Sequence, residues 1–225
     1  TLESVPASRP VLAFVLVPAW MKAPRADLQA RLAAGTAESS ALGEPTVTHE
    51  LHNTDSDAIL GRIRQLGFAS ADPAKVQVVY VPSYLNGDDG IFNMDYYEIL
   101  CGLDATAFPS YYEPWGYTPL ESVAFGIPTI TTSLSGFGQW ILSSSKSDFA
   151  VSGVEVVQRN DSNYGEVVAN IAADLRRLAD APDDYREKAS KAARDTAERA
   201  EWNYFITYYI DAFRRALGAA DKRRN

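Results

Sequence analysis

Two glutamates with seven residues between them, Glu113 and Glu121, stand in the run FPSYYEPWGYTPLESVAFGIPTITTSLSGFG from Phe108 to Gly138. A strand ending near Pro109, an aromatic turn, and Thr118-Pro119 opening a helix would bring backbone N–H groups to the edge of a crevice. An anion is stabilised at such a place, because the first amides of a helix lack internal partners and carry the positive end of its dipole. Phosphate is the expected guest. One carboxylate before the helix and one on its second turn can flank that anion and accept hydrogen bonds from hydroxyls on either side, an arrangement that fits a sugar nucleotide. Gly116 allows the backbone to approach closely.

The elements that must carry this turn alternate between strand and helix. Pro10 to Pro18 (PVLAFVLVP) is a continuous apolar run, expected to form an inner parallel strand covered on both faces. Ala26 to Ala34 has helical composition, and Gly35 to Pro45 is a small, polar loop. Asp55-Ser56-Asp57 offers caps for a helix through Ile59, Ile63 and Leu66 that ends at Gly67. Strands are expected at 75–81, 105–108, 127–132 and 154–158. A short helix is expected over 95–100, and a long helical pattern over 164–217, broken near Pro182. The fold class is α/β: a Rossmann-like doubly wound parallel sheet with C-terminal helices, which binds its ligands at the carboxyl ends of the strands.

Composition narrows the partners. The 225 residues are 46% hydrophobic and 22% charged, with a net charge of -8, which disfavours nucleic acid and anionic membranes because both need clustered Lys and Arg. An uncharged polysaccharide raises no such objection. A single cysteine, Cys101, rules out an internal disulfide framework and suits a reducing cytoplasm, and two histidines, His49 and His52, are too few for a typical zinc site. The apolar run near the start is about eight residues, short of the ~20 needed to cross a bilayer, and lacks the flanks of a signal peptide.

The chain resembles the glycogen synthase family of retaining glucosyltransferases, of the animal and fungal type. The turn Tyr111-Tyr112-Glu113-Pro114-Trp115-Gly116-Tyr117 carries the resemblance most strongly. Val81-Pro82-Ser83-Tyr84-Leu85 through Asp95-Tyr96 to Cys101-Gly102-Leu103, and Thr48-His49 with Asp57-Ala58-Ile59, extend it over about Thr46 to Gly138. Weaker similarity continues to Trp202-Asn203-Tyr204-Phe205.

The resemblance implies a GT-B enzyme with two Rossmann-like domains facing a cleft, which moves glucose from UDP-glucose to the non-reducing end of an α-1,4-glucan with retention and without metal or other cofactor. Glu113 is then the catalytic candidate, contacting the sugar, with covalent and non-covalent roles both open. The amides of Gly116, Tyr117 and Thr118, with the Thr118 hydroxyl, would hold the distal phosphate, and Glu121 would accept from the ribose hydroxyls. Tyr84 and Tyr96 match an aromatic pair that brackets uracil, or are buried tyrosines with satisfied hydroxyls. Ser135-Gly136-Phe137-Gly138 matches a pocket-closing loop or is a plain turn. Trp115 packs on the sugar or braces the turn, and His49 and Asp57 read as structural.

Departures from the family pattern are equally specific. The family's arginine-rich regulatory helix is interrupted here by Ser190, Ala192 and Asp195, so activation by glucose 6-phosphate is not carried over; Arg186, Lys188, Lys191, Arg194 and Arg199, interleaved with acids, read as a solvated helix face. No G-R-x-E-x-x-N-K-G segment, which supplies the diphosphate-clamping Arg and Lys, occurs in the chain. Residues 1–225 are therefore expected to be a C-terminal nucleotide-sugar domain without its first βα unit and without the acceptor domain, nearly inactive alone. A homo-oligomeric full-length protein is compatible with this. Sucrose-synthase-like or trehalose-forming transferases share the paired glutamates and are the enzymatic alternative; a noncatalytic nucleotide-sugar or glucan-binding domain is the other.

Overall fold

The computed structural model describes residues 11–35, 46–68 and 76–224. They divide between Gly102 and Leu103 into two compact units.

The first unit contains β1 (Leu12–Leu16), β2 (Met21–Pro24), α1 (Ala26–Ala34), β3 (His49–Leu51), α2 (Ala58–Gln65), β4 (Gln77–Val81) and α3 (Tyr96–Leu100). β1 and β4 pair in parallel from Leu12 opposite Gln77 to Leu16 opposite Val81. β2 and β3 form a short antiparallel pair that the sequence reading did not anticipate. Helix α2 starts where Asp57 accepts the Leu60 amide at 2.7 Å, and α3 where Asp95 and Glu98 form a reciprocal capping box. The first strand departs from expectation. Leu12 is exposed and the rest of β1 only half-buried, so among the described residues it is not an inner strand covered on both faces. The core of this unit lies instead under β3, α2 and β4, around Leu51, Leu60, Ile63 and Tyr80. The stretch 36–45, within the expected loop, lies outside the described residues, as does the predicted strand start at Lys75.

His49 is fully buried, with Nδ1 2.8 Å from the Thr48 hydroxyl and Nε2 2.8 Å from the Asp89 carbonyl oxygen. Both ring nitrogens are thus engaged within the fold, the structural role anticipated for it. Asp57, the helix cap, also lies near the buried Tyr80; burial and the Asp57 charge push that phenol up to about 12.

The second unit contains β5 (Thr106–Ala107), α4 (Tyr117–Ala124), β6 (Thr129–Thr132), α5 (Gly136–Ser144), α6 (Phe149–Ser152), β7 (Val154–Val157), α7 (Tyr164–Asp180), α8 (Asp183–Arg199) and α9 (Trp202–Arg224). Its sheet is parallel in the order β5-β6-β7, so all three strands end at one edge. Helices cover both faces, because alternate residues of a strand point to opposite sides. Val154 and Val156 pack with Val123, Phe137 and Ile141 on one side. Ile130 and Val157 pack with Phe149, Val167 and Leu178 on the other. This is the doubly wound α/β arrangement.

Helix α8 closes the amino edge of that sheet. A side chain at Gly153, just before β7, would lie 2.3 Å from the Ala193 Cα, and one at Gly126, before β6, would meet the Arg194 guanidinium at 2.7 Å. Glycine is required at Gly153 twice over, since its φ is also +70°. With α8 at the amino edge, the carboxyl edge belongs to the three loops that follow the strands.

Candidate functional site

At the carboxyl edge, the segment after β5 is fastened to the segment after β6 as a short extension of the sheet. The Glu113 amide donates to the Leu134 carbonyl at 3.2 Å, and the Gly136 amide donates to the Glu113 carbonyl at 3.0 Å, pairing Glu113 with Ser135 in parallel. The Phe137 amide donates to the Trp115 carbonyl at 2.6 Å, and the Thr132 hydroxyl to the Ser110 carbonyl at 2.7 Å. The main chain of Glu113 is therefore spent on holding its place. Its side chain is half-buried.

Small residues make this closeness possible. A Cβ at Gly136 would fall 2.3 Å from the Pro114 carbonyl oxygen, and one at Gly138 the same distance from that of Thr132. Ser135 caps α5 by accepting the Gly138 amide at 3.0 Å, so Ser135 to Gly138 is the sealed start of a helix. Neither the closing loop nor the plain turn considered from sequence describes it.

Trp115 faces inward, in contact with Phe137 at 6.1 Å, Trp140 at 6.2 Å and Phe205 of α9 at 5.3 Å between ring centroids. It braces the turn from below. Edge-to-face aromatic pairs of this kind contribute ~0.5–1.5 kcal/mol each beyond their area burial, enough to hold an otherwise exposed bend to the underlying core.

Helix α4 begins at Gly116, whose φ of 109° belongs to glycine, and no side chain caps it. Tyr117 and Thr118 take the first two helical positions and are exposed, while Pro119 in the third has no N–H. The amides of Tyr117 and Thr118 thus lie at the positive end of α4 with no capping acceptor. The Glu113 side chain lies over this start: a Cβ at Gly116 would come within 3.4 Å of the Glu113 Cγ and 3.0 Å of the Pro119 Cγ. Glu121, half-buried, follows Tyr117 by four and Thr118 by three residues, which sets all three on one helix face. The helix is pinned from behind by a buried hydroxyl cluster, Ser122 to Thr106 at 2.6 Å and to Thr129 at 2.9 Å.

The structure thus gathers Glu113, Gly116, Tyr117, Thr118 and Glu121 at one helix start. Tyr84 and Tyr96 belong to the first unit, where the Tyr96 amide donates to the Leu85 carbonyl at 3.0 Å and Asn86 pairs with Asp95. Tyr84 is 76% exposed, so a buried, satisfied tyrosine does not describe it; Tyr96 is half-buried and stands beside Tyr97 at 5.5 Å.

Arg159 was not singled out from sequence. It follows β7 at the same edge and is 7% exposed. Its Nη1 donates to the Pro109 carbonyl at 2.9 Å, its amide donates to the Ser133 hydroxyl at 3.0 Å, and its guanidinium lies 3.4 Å from the Tyr111 ring centroid. The available signal was an arginine directly after an apolar strand at the ligand edge.

The second unit is of the doubly wound α/β class, whose ligands bind at the carboxyl ends of the strands, the edge at which Glu113 and the start of α4 lie. Comparison with known proteins is more specific. The family model for glycogen synthase matches residues 27–223. Glycogen [starch] synthase isoform 1 of Saccharomyces cerevisiae is 32% identical over 175 residues, 77% of this chain and 24% of the yeast protein. The liver glycogen [starch] synthase of Homo sapiens is 31% identical over 176 residues, 78% of this chain and 25% of its own length. Among solved structures, WaaG, a glycosyltransferase involved in lipopolysaccharide biosynthesis, superposes with a TM-score of 0.44 at 15% identity over 87% of this chain and 45% of WaaG. The chain belongs to the glycogen synthase family and spans about a quarter of the length of these curated relatives. No helix among the described residues is long and apolar enough to cross a membrane.

Proposed function

We propose that this chain supplies the donor-sugar side of a retaining glucosyltransferase that passes glucose from UDP-glucose to the non-reducing end of an α-1,4-glucan. The observation that carries the proposal is the Glu113 side chain lying over the uncapped start of α4. On this reading the Tyr117 and Thr118 amides and the Thr118 hydroxyl receive the distal phosphate, whose negative charge grows as the glycosidic bond breaks. Glu113 faces the sugar, where positive charge grows in the same step. Glu121 accepts from the ribose hydroxyls. On this reading no metal takes part, and the amides and dipole of α4 add positive field at the phosphate to that of the diphosphate-clamping Arg and Lys. A cytoplasmic setting suits the uncharged polymer and the single free cysteine.

The test uses the full-length protein with labelled UDP-glucose and glycogen. Glu113→Gln is expected to lower polymer labelling by roughly 100- to 1,000-fold, the usual scale for losing one electrostatic stabiliser of a transition state. Label released as a disaccharide, or polymer labelling undiminished by the substitution, overturns the reading. Residues 1–225 alone are expected to bind UDP weakly and to form almost no polymer, as they lack the diphosphate-clamping segment; turnover at the full-length rate would refute that account.

A further inference from the structure

We propose that Arg159 is a positioning residue for the Glu113 turn, setting the angle at which the glutamate meets the sugar; this rests on the function proposed above. The turn is anchored differently at its two ends. Near Glu113 it is held by main-chain bonds to Leu134 and Gly136. Near Pro109 to Tyr111 the grip is chiefly made by side chains, the Thr132 hydroxyl on the Ser110 carbonyl and the Arg159 guanidinium on the Pro109 carbonyl and the Tyr111 ring.

Arg159 also joins all three loops of the carboxyl edge. It follows β7, reaches the β5 loop through Pro109 and Tyr111, and shares the Ser133 hydroxyl of the β6 loop. Plain hydrogen-bond satisfaction does not account for an arginine here, because its buried Nε–H has no partner. What a guanidinium supplies and a lysine does not is a flat cation that stacks on a ring while donating sideways in its own plane. Tyr111 is 57% exposed even with this cation against it, so without Arg159 its end of the turn keeps the Thr132–Ser110 bond but loses the contacts at Pro109 and at the Tyr111 ring.

The experiment compares Arg159→Ala, Arg159→Lys, Tyr111→Leu and the Arg159→Ala/Tyr111→Leu double variant in the full-length protein. It reads kcat and KM for UDP-glucose alongside hydrogen exchange of the Glu113 and Gly136 amides. Misplacing a reacting group by about an ångström costs up to ~100-fold. Arg159→Ala is therefore expected to lower kcat roughly 10- to 100-fold with KM changed less than about threefold, and to speed exchange at both amides. Arg159→Lys should recover only part of the loss. Tyr111→Leu should be the milder single change, since it spares the Arg159–Pro109 bond, and the double variant should be little worse than Arg159→Ala, because that change already removes the stacking contact. Unchanged kcat, independent multiplying losses, or full recovery with lysine overturns the proposal, as does a lowered melting temperature with no change in kcat. If the wild-type protein does not turn over UDP-glucose, the proposed function fails by itself. Exchange then still decides whether Arg159 holds the turn, unchanged rates in the alanine variant refuting it.

Discussion

Two helices start at the same sheet edge, α4 after β5 and α5 after β6, and they treat their first amides in opposite ways. At α5 the Ser135 hydroxyl accepts the Gly138 amide, contacts the Thr131 hydroxyl at 3.0 Å and is itself almost wholly buried. At α4 a left-handed glycine replaces the capping side chain, the third residue is proline, and Tyr117 and Thr118 face solvent. A cap contributes about 1 kcal/mol to a helix. At this edge the first amides of α5 are spent on the fold and those of α4 meet no side-chain acceptor; because α1, α7 and α8 also start without a side-chain cap, the contrast bears on the proposed function only together with the carboxyl-edge position of α4 and the Glu113 side chain beside it. The two are also coupled: α5 can begin where it does because Gly136 passes under Pro114, and that contact places the Glu113 turn over α4.

Giving α4 the cap it lacks is the most direct way to break this contrast. Gly116→Asp puts an acceptor, and a negative charge, where the phosphate is expected. Losing two charge-assisted hydrogen bonds at ~1.5–3 kcal/mol each predicts UDP binding weakened by about 100-fold or more in calorimetric titration. Gly116→Ala separates that effect from strain, since it shares the φ of 109° and the contact with Pro119 but adds no acceptor. It should weaken UDP binding clearly less than the aspartate does. Equal losses would mean that backbone strain alone, and no competition for the amides, explains both.

A smaller effect is expected from loosening the coupling. Gly136→Ala drives a methyl into the Pro114 carbonyl oxygen, and overpacking of this kind costs about 1–3 kcal/mol. A urea midpoint lowered by that amount, together with reduced polymer labelling, would show that the contact holds both the fold and the glutamate. Full activity in a destabilised variant would confine Gly136 to the fold.

The contrast also shows what was legible in the sequence. Asp57 stood among the three cap candidates read before α2, because an acceptor side chain before an apolar stripe has one favourable use, whereas Asp95 was read as part of the short helix 95–100 that it caps. The parallel strands of the second unit stood out as short apolar runs between turn residues. Helix α5 stayed hidden because Gly136 and Gly138 read as loop; their reason for being glycine is a carbonyl from another segment, which no local pattern reveals. The β2–β3 pair is short, ends at Pro24 and carries no alternating pattern. Leu12 to Leu16 was taken for an inner strand on apolarity alone, yet its burial depends on neighbours that the run itself does not specify. At the site, the residue types and spacing pointed to Glu113, Gly116 and Glu121. Arg159 emerged only once separate loops were brought together, and the choice between the two readings of Trp115 needed the contact with Phe205 of α9.

The finest test removes the cap that α5 has. Ser135→Ala leaves the buried Gly138 amide without its acceptor and deletes the contact with Thr131. Loss of a serine cap typically costs about 1 kcal/mol, within a range of roughly 0.5–2, and the urea midpoint should fall accordingly. UDP affinity should stay within about twofold of wild type, because the amides of α5 are directed into the protein and the route to Glu113 runs through the main chain of Gly136, which this substitution leaves in place. If Ser135→Ala instead weakened UDP as strongly as Gly116→Asp, both helix starts would belong to the binding site, and the contrast between α4 and α5 would no longer tell which of the two meets the ligand.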